Sequence, residues 1–105
     1  MEKIFKIEYA PAVHFDLDET AEYITNTLCA PQAAQNLLSK IRKTIENLKT
    51  FPFSGTLVDS QDSASISIRW VRAENYMIFY TVNEADECVY VLRILYGSSN
   101  YPNVL

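Results

Sequence analysis

PAVHFDLDETAEYITNTLCAPQAAQNLLSKIRKTIENL, residues 11–48, holds two prolines twenty residues apart, each followed by apolar residues at helical spacing. Pro11 suits the first turn of a helix, where its missing N–H costs nothing. Behind it Val13, Leu17, Ala21, Ile24 and Leu28 recur at intervals of four, four, three and four, which predicts an amphipathic helix. Asp16, Asp18, Glu19 and Glu22 fall on the opposite side. We read these carboxylates as a solvated face rather than a metal site. Pro31 breaks the pattern and restarts it, since proline fits a helix start and disfavours helical geometry in the residue before it. Ala33, Ala34, Leu37, Leu38, Ile41, Ile45 and Leu48 then form a wide apolar stripe able to pack on the first helix, so the stretch reads as a helical hairpin.

Strand patterns flank the hairpin. In IFKIEYA, Phe5, Ile7 and Tyr9 alternate with Lys6 and Glu8, the period of a half-buried strand. After the second helix, TFPFSG supplies the stop, because Pro52 cannot continue a helix and Gly55 allows a turn. Residues 56–65 are polar and are expected to form an irregular loop. Ile66, Ile68 and Trp70 alternate with Ser67 and Arg69, while Tyr76–Val82 and Val89–Tyr96 are nearly continuous apolar runs. Ala73–Asn75 and Asn83–Asp86 have the residues of tight turns between them. The expected order is strand, two helices, then a three-stranded antiparallel meander: an α+β fold. A chain of 105 residues fits one domain, residues 1–105, because halves of it would bury too little apolar surface.

Charge and composition narrow the function. Thirteen acidic against nine basic residues leave a net charge of −4, which disfavours generic binding to phosphate backbones. Lys40, Arg42 and Lys43 form the one local basic cluster, and a solvated helix face accounts for them. There is no apolar run of about 18 residues to span a bilayer, and MEKIFKIEYA lacks the uninterrupted apolar block of a signal peptide, so a cytoplasmic chain is expected. Cys29 and Cys88 lack the spacing of a metal clip and read as reduced core or near-core residues. No nucleotide-binding or metal motif is present, and neither cofactor nor metal is expected.

Among candidate site residues Arg72 stands first. It sits at a strand end, four residues before Tyr76 and across a tight turn from it, where a guanidinium can hold a phosphate or carboxylate through two parallel hydrogen bonds. A structural ion pair, with Glu74 for example, is the competing reading. The sole histidine, His14, has no evident catalytic partner in sequence. Tyr76, Tyr80, Tyr90, Tyr96 and Tyr101 could stack on bases, but aromatics in strand patterns more commonly pack the sheet.

Three segments carry a wider pattern: PQAAQNLLSKIRKTIENLKTFPFSG (31–55), IRWVRAENYMIFYTV (68–82) and VYVLRILYGSSNY (89–101). In this order and spacing the chain resembles the RelE/ParE superfamily of type II toxin–antitoxin toxins. The resemblance implies a helical hairpin packed on an antiparallel sheet, a role in growth inhibition and plasmid stabilisation, and a cognate antitoxin that wraps and silences the toxin. It leaves two targets. RelE-like members cut messenger RNA on the ribosome, and there Arg72 would neutralise phosphate charge with Tyr76 or Tyr101 in support; ParE-like members poison DNA gyrase without that catalytic set. Nuclease-like relatives place histidine, arginine or lysine around the glycine that follows the last strand. Here Tyr96, Gly97, Ser98 and Ser99 stand instead, and serine hydroxyls are poor acids and bases without an activating neighbour. That difference, the acidic charge and the P-x-A-A-x-x-L-L hairpin favour the ParE-like reading; a degenerate toxin that only binds its antitoxin is the third alternative.

Overall fold

The computed structural model describes residues 4–58 and 67–97. Strand β1 (Lys6–Tyr9) leads through Ala10 into helix α1 (Pro11–Glu22), and a π-helical turn (Tyr23–Thr27) follows. Helix α2 (Pro31–Asn47) returns along α1, after which come β2 (Thr56–Leu57), β3 (Ile68–Ala73), β4 (Tyr76–Asn83) and β5 (Cys88–Tyr96). Both prolines occupy the first turn of their helices, as their sequence positions predict. The five strands form one sheet in the order β1-β5-β4-β3-β2. The β3–β4–β5 meander is antiparallel, whereas β1 joins β5 in parallel, with Ile7 opposite Val89 and Tyr9 opposite Val91. This is the expected α+β layout.

One face of the sheet carries the core. Val13 of α1 and Ile41 and Ile45 of α2 pack against Ala73, Ile78, Val91 and Ile94. Phe5, Leu48, Tyr80 and Val89 form a second cluster beside it. In β5 the inward set changes phase, from Val89 and Val91 to Ile94 and Tyr96. A bulge produces this: the register steps from Phe79↔Arg93 to Tyr80↔Val91, leaving Leu92 as the extra residue.

Four expectations need correction. The first helix does not continue to Leu28. The Leu28 N–H reaches back five residues to the Tyr23 carbonyl and the Ala30 N–H six to that of Ile24, so the chain is wound wider there. Thr25, Asn26 and Thr27 are weak helix formers, Cys29 turns the chain at φ 52°, and Leu28 is left 55% exposed. Asp16 is not part of a solvated face: it is 5% exposed and accepts hydrogen bonds from Arg93 Nε and Nη2 (2.9 Å each) and from the Ile94 N–H (3.0 Å). Thr56 and Leu57, expected in a loop, pair with Trp70 and Arg69 as an edge strand. Cys88 is buried as expected, but Cys29 is exposed at the hairpin tip. The rest of the expected loop, and Ile66, lie outside the described residues.

Gly55 is required for space rather than for a left-handed backbone. A Cβ there would lie 2.5 Å from the Tyr80 hydroxyl oxygen and 2.8 Å from the Trp70 carbonyl. That hydroxyl accepts the Gly55 N–H at 2.9 Å inside the protein. Burial pushes the Tyr80 pKa above its ordinary value, and the Gly55 hydrogen bond opposes the shift.

Replacing Gly55 by alanine should cost about 1–3 kcal/mol in urea unfolding through overpacking. Tyr80→Phe should cost about 1–2 kcal/mol by stranding the Gly55 N–H. It should also flatten part of the fall in stability above pH ~10, since the native state holds the Tyr80 proton that the unfolded chain releases. Asp16→Ala should be the most damaging of the three, about 2–4 kcal/mol, because it leaves the buried Ile94 amide and a partly buried guanidinium unpaired and empties the space of the carboxylate. Chemical denaturation at neutral pH measures the three costs, and its repetition from about pH 8 to 11 measures the Tyr80 effect.

Candidate functional site

The end of the sheet where β3 turns into β4 gathers the candidate residues. Ala73 pairs with Tyr76 and the turn is only Glu74–Asn75, with Glu74 in the left-handed region at φ 56°. The Gly97 N–H donates to the Asn75 carbonyl at 2.7 Å and so extends β5 alongside the turn. Arg72 is exposed, and its Nη2 lies 3.9 Å from where a Gly97 Cβ would stand. That is an ordinary van der Waals distance; the close approach at Gly97 is to the Asn75 carbonyl, 3.0 Å from such a Cβ.

The competing reading of Arg72, an ion pair with Glu74, is not what the structure holds. Glu74 pairs with Lys40 of α2 instead. Arg72 has no hydrogen-bonded or ion-paired partner among the described residues. A planar cation that the described residues leave unpaired can offer its donors to an incoming phosphate or carboxylate.

Arg72 and Tyr76 are neighbours that the pleat separates. Arg72 lies opposite Met77, whereas Tyr76 lies opposite Ala73 and Tyr96, so strand alternation puts them on opposite faces. Tyr76 packs against the helix-side core, with its ring edge-on to Tyr96 at 5.5 Å between centroids and 74° between planes. Tyr101, Ser98 and Ser99 lie outside the described residues.

The other basic residues divide by role. Arg69 is a brace: its Nη1 donates to the carbonyls of Phe53 (3.2 Å) and Gly55 (2.8 Å), and its guanidinium sits 5.3 Å from the Phe53 ring centroid. Arg93 is tied to Asp16, whose hydrogen bond raises the guanidinium pKa further above the ordinary arginine value. Sequence reasoning passed over this pair. Its one signal was a lone arginine in the apolar run VYVLRILY, which cannot be buried without an acid to meet it. His14 belongs elsewhere, 6.1 Å from the Tyr9 ring in a groove between α1 and α2 lined also by Leu17, Asp18, Leu38 and Arg42. Among the described residues no cluster of metal-ligating side chains occurs, and no helix is long and apolar enough to cross a membrane.

The architecture has known counterparts. The chromosomal ParDE toxin–antitoxin system of P. aeruginosa matches with a TM-score of 0.70 at 17% identity, over 90% of this chain and 97% of that one. The toxin–antitoxin complex RelBE2 of Mycobacterium tuberculosis matches at 0.62 with 13% identity, over 94% and 100% of the two chains. The archaeal RelE–RelB complex of Pyrococcus horikoshii gives 0.55 with 14% identity, over 90% and 97%. At such identities these likenesses speak for the fold. No curated protein sequence matches the chain. A family model does: that of the ParE toxin of the type II toxin–antitoxin system parDE fits residues 7–101. Nearly the whole chain is covered, and the protein belongs to the ParE toxin family of type II toxin–antitoxin systems.

Proposed function

We propose that this ParE-family chain is a growth-inhibiting toxin, held silent by a cognate antitoxin, that acts by binding DNA gyrase rather than by cutting RNA. The match to the ParE model over residues 7–101 carries the reading, because it spans hairpin, sheet and the start of the C-terminal tail together. The likenesses to ParDE, RelBE2 and RelE–RelB toxin–antitoxin structures support an antitoxin partner. Site geometry supports a binding mode of action. Attack of a ribose 2′-hydroxyl needs a base, an acid and a charge acceptor around one phosphate. At this end Arg72 supplies the charge, but Lys40 is engaged with Glu74, Tyr76 sits on the other face of the sheet, and the sole histidine belongs to the Tyr9 groove. As a contact surface the same end is well made: a two-residue turn lies beside a cation that is exposed and unpaired among the described residues.

One observation favours the ribosome-directed alternative, namely that Arg72 is exposed and, among the described residues, uncommitted, as suits a phosphate-binding arginine. Its replacement distinguishes the two. For a nuclease, Arg72→Ala should lower cleavage of ribosome-bound messenger RNA by about 10²- to 10³-fold, the usual cost of losing an oriented transition-state charge contact. Under the gyrase reading, no such cleavage occurs with either protein. Excess purified protein should instead inhibit DNA supercoiling by gyrase; undiminished supercoiling, with cleaved message on the ribosome, would reverse the assignment.

A further inference from the structure

The turn that joins β3 to β4 breaks a local rule. Glu74 stands at φ 56°, and Asn75 does not share the positive φ. A two-residue hairpin turn with positive φ at its first residue alone ordinarily places glycine there, because a Cβ is strained in that conformation. What glutamate adds to the glycine that the backbone favours is a carboxylate, and this carboxylate is paired with Lys40 of α2. Both side chains are open to water, Lys40 61% and Glu74 47% exposed. An ion pair so exposed stabilises less than relief of the backbone strain would. Stability therefore does not account for a glutamate at this position.

Two ties converge on this turn. From α2, Lys40 holds the Glu74 carboxylate. From the end of β5, the Gly97 N–H donates to the Asn75 carbonyl at 2.7 Å. Arg72 precedes Glu74 by two residues, and its Nη2 and the Asn75 carbonyl oxygen lie 3.9 and 3.0 Å from one point beside Gly97. The guanidinium thus stands next to the tied turn. Glu74 is the acid closest to Arg72 in sequence, and its engagement with Lys40 leaves Arg72 unpaired among the described residues. Lys40, Arg72 and Glu74 together carry one positive charge, in a chain whose net charge is −4.

We infer that Lys40 and Glu74 are positioning residues: their ion pair latches the β3–β4 turn to α2 and holds Arg72 open for an acidic side chain of the target protein. The identity of the target rests on the gyrase reading above, and the latch does not. A guanidinium meets a single carboxylate through two parallel hydrogen bonds. Fixing the turn before the encounter removes part of the ordering cost of that contact. A carboxylate is favoured over nucleic-acid phosphate because the negative chain as a whole is repelled by a phosphate backbone. Lys40 has a second effect, since without it the Glu74 carboxylate is released beside Arg72.

Backbone amide hydrogen exchange in the full chain tests the latch, and binding to purified gyrase without DNA tests its use. Lys40→Ala and Glu74→Gln should each speed exchange at Gly97 roughly two- to fivefold, with Ile78 at the sheet centre unchanged. Both should weaken gyrase binding, Lys40→Ala the more. Combining Lys40→Glu with Glu74→Lys rebuilds the pair in reverse and should restore both readouts. Glu74→Gly should unfold at no lower urea concentration than the native chain yet bind more weakly, which a residue placed for stability would not do. Glu87→Gly removes the other turn glutamate at positive φ, 51°, and should alter neither Gly97 exchange nor binding. Unchanged Gly97 exchange in the single variants, failure of the charge reversal to restore either readout, or a complex that forms only when DNA is present would each overturn the inference. A native chain that leaves gyrase unbound while the exchange pattern holds would count against the gyrase reading alone.

Discussion

The Asp16 carboxylate carries out a task that β1 is too short to perform. β1 flanks β5 only from Cys88 to Val91, and at Ala10 the chain leaves the sheet to begin α1. The second half of β5 is then without a strand on that side. Asp16, one and a half turns into α1, takes the place of the missing neighbour by accepting the Ile94 N–H while its two oxygens hold the Arg93 guanidinium. An ion pair this well hydrogen-bonded offsets the cost of its own burial. The result fixes the height and rotation of α1 over the sheet, and with α1 the rest of the hairpin.

The β5 bulge belongs to the same device. The extra residue at Leu92 brings Ile94 and Tyr96 to the helix side, where Ile94 joins Val13, Ile41 and Ile45 in the core. Further along the sheet Arg69 does comparable work for the loop after α2, holding the Phe53 and Gly55 carbonyls while Tyr80 accepts the Gly55 N–H. Two arginines are thus spent on architecture, which is why Arg72, committed to neither, stands out.

The hairpin and the meander were readable because each rests on local chemistry: two prolines at helix starts, apolar residues at intervals of three and four, and short polar turns. What escaped was non-local or broke a period. Asp16 sits in the run D-L-D-E and looks like its solvated neighbours until Arg93, 77 residues later, is placed against it. The π turn at Tyr23–Thr27 changes the number of residues per turn, so a count made at 3.6 carried Leu28 inward when it points out. A strand of two residues, Thr56–Leu57, is too short to show a period at all. At the candidate site the approach of Arg72 and Tyr76 in sequence was visible, but their separation onto opposite faces depends on where the turn begins. The loss of Glu74 to Lys40 depends on α2 packing beside that turn.

The fold gives this ParE-family protein a two-residue turn beside Arg72, an exposed arginine with no partner among the described residues, and, along β1, a strand edge left open at Ile7 and Tyr9. These are recognition features, and they support the reading of a toxin that works by binding. The most direct trial is in cells: induce the chain without an antitoxin and follow thymidine and methionine incorporation over the first minutes. The account predicts that DNA synthesis falls first while translation continues. A prompt fall in protein synthesis with DNA synthesis intact would contradict it.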